Sequence, residues 1–403
     1  MSSTAIQHVD NAPSWMLPER TRVLSSGSKK GKCVVYWMQR DVRTIDNWAL
    51  LYATHLAQQQ KVPLRVMYCL LPPAASTEEE MPPFYDKLTE RYGSFLLGGL
   101  EHVHQELLEK KVPLQVVMPS SPANVGSAVM DHLNEWQAST VVCDHSPLKP
   151  YRSWVEDQLV PLCSTSISVI HVDAHNVVPV WHAADKRQIG ARTLRPKLNK
   201  LLDTFLTDYP DMEGNQHLET SVKLPGFDKD QYADYLKWDK TVKPIEWAKP
   251  GTKKAMAQFD SFTETGLKQF HELRNDPNYN KQVCSNLSPW INHGHVSFQT
   301  LAKQAKTTLY KKYANGTAMY IEEGLVRREL SDNFIYYTPD TYDSLESALV
   351  WAQETLEVHS SDEREWLFST EELEGGRSHD DLWNAAQLQL VQEGKLHGFV
   401  RNH

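Results

Sequence analysis

Cys33-Val34-Val35-Tyr36-Trp37-Met38 is an unbroken apolar run of strand length, and its reading decides the fold. β-Branched and aromatic side chains favour the extended chain. The absence of polar alternation means that both faces of such a strand are covered. Nearly all-apolar runs recur at residues 64–70, 114–118, 140–143 and 168–172. The intervening stretches 47–59, 92–109, 124–135 and 151–162 carry apolar residues at the three- and four-residue spacing of a helix.

Regular alternation of apolar strand and amphipathic helix predicts a parallel five-stranded sheet with helices on both faces, an α/β domain of Rossmann-like type. No GxGxxG follows the first strand and the chain has no GxxxxGK(S/T), so the two standard phosphate loops are absent. Any ligand of this sheet is expected beyond the carboxyl ends of its strands.

Beyond residue 253 the β-runs stop, and 255–273, 297–313, 320–334, 345–357 and 381–392 read as helices. A chain of 403 residues exceeds the usual size of one core. The expected division is a mobile polar tail at 1–31, the α/β domain at 32–175, a basic join and connection at 176–252, and an all-α domain at 253–403. Within the join, residues 183–200 hold Lys186, Arg187, Arg192, Arg195, Lys197 and Lys200 against a single acid, Asp185. Such a cluster is either a solvated helix face or a phosphate-contacting surface. The stretch 209–252, carrying Pro210, Pro225, Pro244 and Pro250, reads as a long connection over the surface.

A net charge of -9 fits a dissolved protein and does not exclude nucleic acid, because a local basic patch matters more than the total. The five cysteines have no CxxC spacing and an odd number, as expected of reduced residues in an intracellular protein. No apolar run reaches membrane-spanning length.

Three stretches of the second half carry chemistry. In Ser285-Asn286-Leu287-Ser288-Pro289-Trp290, two hydroxyls precede a proline at a helix entry. Ser288 is placed to cap and Pro289 to occupy the first turn, leaving unpaired N–H groups that suit a phosphate. The bland alternative is an ordinary helix start. In 320–334, Glu323 and Arg327 stand four apart on one helical face, as a surface ion pair would. His379-Asp380-Asp381 reads as a helix cap rather than a metal site.

Taken in order, these motifs resemble the photolyase/cryptochrome family, most closely its class II cyclobutane pyrimidine dimer photolyases. The resemblance is carried by Tyr-Trp-Met-Gln-Arg-Asp at 36–41, Val-Asp-Ala-His-Asn-Val-Val-Pro-Val-Trp at 172–181, and Gly-Ala-Arg-Thr-Leu-Arg-Pro-Lys at 190–197. It continues in Arg-Asn-Asp-Pro at 274–277, the 285–297 stretch, Arg-Arg-Glu-Leu-Ser-Asp-Asn-Phe at 327–334, and 380–398. It implies a helical domain that holds FAD, and light-driven electron transfer to pyrimidine dimers in double-stranded DNA. It further implies that Ser285, Asn286, Leu287 and Ser288 hold the FAD phosphates, with Arg327, Arg401 and Phe270 also at the cofactor. Glu323 falls where a carboxyl group meets the dimer, protonated if burial favours that form. Trp383 falls at a relay position for photoreducing the flavin.

Arg274, Arg328, Gly398 and Phe399 fall at the DNA-facing rim, joined by Arg192, Arg195 and Lys197 of the basic stretch. An antenna chromophore is not identified. A monomer is expected, in the nucleus of a eukaryote.

Two departures qualify the resemblance. Phe270 stands where the family has a tyrosine, so the hydroxyl that would touch the cofactor is missing. The pattern also breaks after Arg401, where family members continue through further helices. The expectation is an incomplete helical domain, with Leu382, Leu388 and Leu390 facing solvent and weak or no dimer repair. The alternative function is a non-catalytic DNA-binding or signalling relative.

Overall fold

The computed structural model describes residues 6–72, 88–163, 165–218 and 224–401. Residues 1–5 of the expected tail, 219–223 of the expected connection and 402–403 lie outside them. The sheet has six strands: β1 (Thr21–Ser25), β2 (Cys33–Met38), β3 (Leu64–Cys69), β4 (Leu114–Val117), β5 (Ala138–Asp144) and β6 (Ser168–Val172). Their spatial order is β1-β6-β5-β2-β3-β4. The five strands read from the sequence are parallel, with Tyr36 of β2 lying between Val66 of β3 and Val142 of β5. Every residue of β2 and of β5 is buried, which is why neither alternates.

The sixth strand corrects the expected tail. β1 pairs antiparallel with β6, Thr21 opposite Val172 and Val23 opposite Ile170. Just before it, Arg20 is buried and donates to the carbonyls of Val177 (2.8 Å) and Phe205 (3.1 Å) and to Gln299 Oε1 (2.9 Å). Trp15 stacks on Trp48 at 6.2 Å between centroids. A short edge strand among polar residues has little periodic signal, and one arginine's tertiary partners cannot be read locally.

The helix Trp48–Gln60 is capped by Asn47, whose Oδ1 accepts from Ala49 and Leu50 N–H, and it ends at Lys61 in the left-handed conformation (φ 55°). Beyond β2, the chain crosses to β3 and β4 on one side, and β5 returns on the other. Asp144 fills that switch point at the strands' carboxyl ends, accepting from Tyr36 Oη (2.9 Å) and from the N–H groups of Gln39, Arg40 and Asp41. Burial and the nearby Asp41 raise its carboxyl to about 6, while the three N–H groups pull the other way.

A second core gathers Phe259, Phe262, Phe298, Leu301, Tyr320 and Leu325 with Leu194, Leu198 and Phe205. Arg192, Arg195, Lys197 and Lys200 of the basic join lie on one helix, Ala191–Phe205, whose apolar face enters this core, whereas Arg187 precedes it and donates to Ser347 O. Tyr209 and Met212 of the connection also pack inward, Tyr209 against Trp48 at 4.1 Å.

Buried charge joins the two cores. Arg40 pairs bidentately with Asp332 (2.6 and 3.0 Å), and Asp332 also accepts from Asn176. Burial opposes the Asp332 charge, but Arg40 prevails and holds the carboxyl well below its ordinary range. By contrast, none of the helices Val350–Val358, Thr370–Glu374 and Asp381–Glu393 has a buried residue. Leu382, Leu388 and Leu390 face solvent there.

Candidate functional site

The site forms where three segments distant in sequence converge. The first is 270–292: the turn Phe270–Leu273, the short helix Asn280–Val283, a loop, and the helix Ser288–Asn292. Trp290 anchors this last helix, buried and donating to Lys249 O at 2.7 Å. Gln258 Nε2 holds the Ser285 carbonyl at 2.9 Å, and Asn286 takes the left-handed conformation (φ 54°). The expected cap is corrected: Leu287 holds the N-cap position and no side chain caps this helix. Ser288 Oγ instead accepts from Lys395 Nζ at 3.1 Å.

The second segment runs from Ala314 to Tyr337 as consecutive helical elements, with wider turns at Glu322–Arg327. Its Glu323 Oε1 lies 3.0 Å from Arg274 Nη1. Glu323 keeps 35% of its side chain exposed and pairs with the Arg274 guanidinium. Glu322 is gripped by Arg195 through two hydrogen bonds of 2.9 and 2.7 Å, which hold its carboxyl below the ordinary range. Arg327 reaches the same carboxylate at 3.6 Å.

The third segment is 394–401. Gly394, in the left-handed conformation (φ 64°), ends the helix Asp381–Glu393. His397 is buried and donates from Nε2 to the carbonyl of Arg274 at 2.8 Å, fixing this segment to the first.

The other expected site residues are placed as follows. Arg328 is mostly buried, donating to Gly324 O (2.8 Å) and Glu329 (3.0 Å) over the Phe298 ring. Arg195 is committed to Glu322, whereas Arg192 and Lys197 are exposed. Phe270 is built into the aromatic core, edge-on to Phe262 at 5.5 Å. Trp383 is 41% exposed and Phe399 65% exposed. Gly398 opens the turn Gly398–Arg401, and Arg401 is exposed. Asp380 caps its helix, accepting from Leu382 and Trp383 N–H.

Sequence reasoning missed Lys395, Glu322 and His397. Lys395 and His397 act across more than a hundred residues of chain, which no local pattern reports. Glu322 was visible only as a neighbour of Glu323 on the same helix.

The residues present suit a dinucleotide's phosphates. Arg274, Lys395 and Arg401 supply positive charge around the 285–288 loop, and Asn286 keeps a buried Oδ1 with no donor. Among the described residues no group of three or more His, Cys, Asp or Glu is arranged for a metal.

A DNA photolyase family model matches residues 34–214. The deoxyribodipyrimidine photo-lyase of Potorous tridactylus is 39% identical over 95% of this chain and 69% of its own length. That of Arabidopsis thaliana is 37% identical over 95% of this chain and 76% of its own. The chain belongs to the DNA photolyase family. The fold agrees with that of a class III photolyase from Agrobacterium tumefaciens, at a TM-score of 0.63 and 19% identity over 93% of this chain and 72% of that one.

Proposed function

We propose that this chain is a deoxyribodipyrimidine photo-lyase, repairing cyclobutane pyrimidine dimers in DNA with light and bound FAD. The observation that carries the reading is the meeting of the 285–288 loop, Arg274, Glu323 and the 394–401 segment in one place. Reduced FAD, when bound and excited by blue or near-ultraviolet light, supplies the electron that opens the dimer.

The chain's own residues position the reactants. Ser285 and Ser288 hold the phosphate end through hydroxyl and N–H donors, with Arg401 adding charge. Glu323, on a rigid helix, meets the flipped dimer, and Arg274 reaches the DNA backbone beside it. Arg192 and Lys197 extend the phosphate contacts along the helix Ala191–Phe205. Phe399 offers an exposed ring at the same rim. Trp383 serves as an electron relay on the helix Asp381–Glu393. With a genomic substrate, the enzyme of a eukaryote works in the nucleus.

The purified chain, equilibrated with FAD and desalted, tests this reading. The expected result is a flavin absorption band near one equivalent, together with tighter binding to dimer-containing duplex than to intact duplex. A colourless protein with no preference for damaged DNA contradicts it.

A further inference from the structure

We propose that Lys395, already held over the 285–288 loop, is a ligand of the cofactor's phosphates; this rests on the photolyase reading above. The ammonium lies 3.1 Å from Ser288 Oγ, on the rim of that loop. It is half-buried, and no carboxylate pairs with it among the described residues. Its electrostatic neighbours are the Cys284 thiol and the Arg401 guanidinium. A cation withdrawn from water beside a second cation is costly unless an anion completes the group. Burial accordingly lowers the affinity of the Lys395 amine for its proton.

The backbone around Lys395 is set for this task. Gly394 has a φ of 64°, and a Cβ there would meet Ile245 Cγ2 at 2.7 Å, so glycine is required at the turn that precedes Lys395. Two residues beyond, His397 ties the segment to the Arg274 carbonyl. Lys395 is thus held over the loop from both sides. Ser288, an uncharged acceptor, satisfies one of its three N–H donors. A phosphate oxygen at the same place accepts from Lys395 and from the loop's free N–H groups together.

The test measures binding of FAD and of riboflavin, which has no phosphates, to the full chain and to the variants Lys395→Met and Lys395→Arg. Lys395→Met keeps the length of the side chain and removes its charge. The expected result is a loss of FAD affinity of roughly tenfold or more in Lys395→Met, a charged hydrogen bond being at stake. Riboflavin binding should be unchanged, and Lys395→Arg should recover most of the FAD affinity. Equal FAD affinity in the parent and Lys395→Met overturns the inference, and so does a parallel loss of both ligands. A parent chain that binds neither flavin overturns the photolyase reading itself and this inference with it.

Discussion

Arg274 Nη1 stands 3.0 Å from Glu323 Oε1, so the side chain we propose reaches the DNA is paired with the carboxyl we propose meets the dimer. Glu322, the preceding residue on that helix, makes a firmer pair, since Arg195 grips it with two hydrogen bonds. Arg274 and Glu323 meet end-on through Nη1, and both are partly exposed. Pairs of this kind contribute roughly 0.2–1 kcal/mol. A DNA phosphate can therefore take Arg274 from Glu323 at little cost, freeing the carboxyl as the substrate arrives.

Glu323→Gln should then tighten binding to duplex DNA by roughly two- to fivefold, because Arg274 no longer has to leave a partner. Arg274→Ala should weaken it. In the Arg274→Ala background the gain from Glu323→Gln should vanish. A gain of equal size in both backgrounds would reduce the pair to a passive neighbour.

Replacing Ser285 and Ser288 together by alanine should lower FAD retention. Each hydrogen bond to a charged group is worth roughly 1.5–3 kcal/mol. Flavin content after desalting is the measure, compared with the parent. An unchanged content would leave the loop as a helix start and nothing more.

Much of this was legible in the sequence and some of it was not, for physical reasons. The five parallel strands announced themselves because burial on both faces leaves their runs nearly all apolar, with only isolated polar residues such as Arg65, Gln115 and His171. The edge strand Thr21–Ser25 half faces its surroundings and gave no such pattern. The 285–288 loop was read from its two hydroxyls and its proline, and the place of Glu323 was implied by the resemblance, but not that Glu323 faces Arg274, since a single helix shows only its own periodicity. The contacts of Arg328 were hidden for a similar reason: the resemblance implied the DNA-facing rim, and only the structure shows the guanidinium engaged by Gly324 and Glu329 and lying over Phe298.

Neutralising Arg192 and Lys197 should flatten the salt dependence of DNA binding. The log–log slope should shrink by about 0.9 for every phosphate that is no longer neutralised. Neutralising Arg195 as well should add less than either, because Glu322 already holds it. An unaltered slope in the double variant would make this helix face merely solvated.

Stability should fall in acid through buried histidines. His145 is buried among His171, Trp181 and Tyr336, and neither of its ring nitrogens has a partner. Burial lowers its pKa to about 3, with Arg22 and Arg40 adding to that and Asp332 opposing it. A folded pKa below the unfolded value of about 6.5 means stability is full above that pH and is lost as the pH falls toward 3. The loss from this residue is on the order of 2 kcal/mol by pH 4.5. His145→Phe should reduce the fall in melting temperature between pH 7 and pH 4.5, and an equal fall in both proteins would exclude His145 as its source.

The most direct measurement is the removal of dimers from DNA. Duplex carrying a cyclobutane pyrimidine dimer is mixed with the purified chain, FAD and a reductant, then illuminated with blue light or kept dark. Against the weak or absent repair expected from the sequence alone, the account predicts that dimers disappear in the light and persist in the dark, and that Glu323→Ala slows their loss without emptying the flavin site. Dimers that persist in the light, with reduced FAD bound and the DNA engaged, would contradict it.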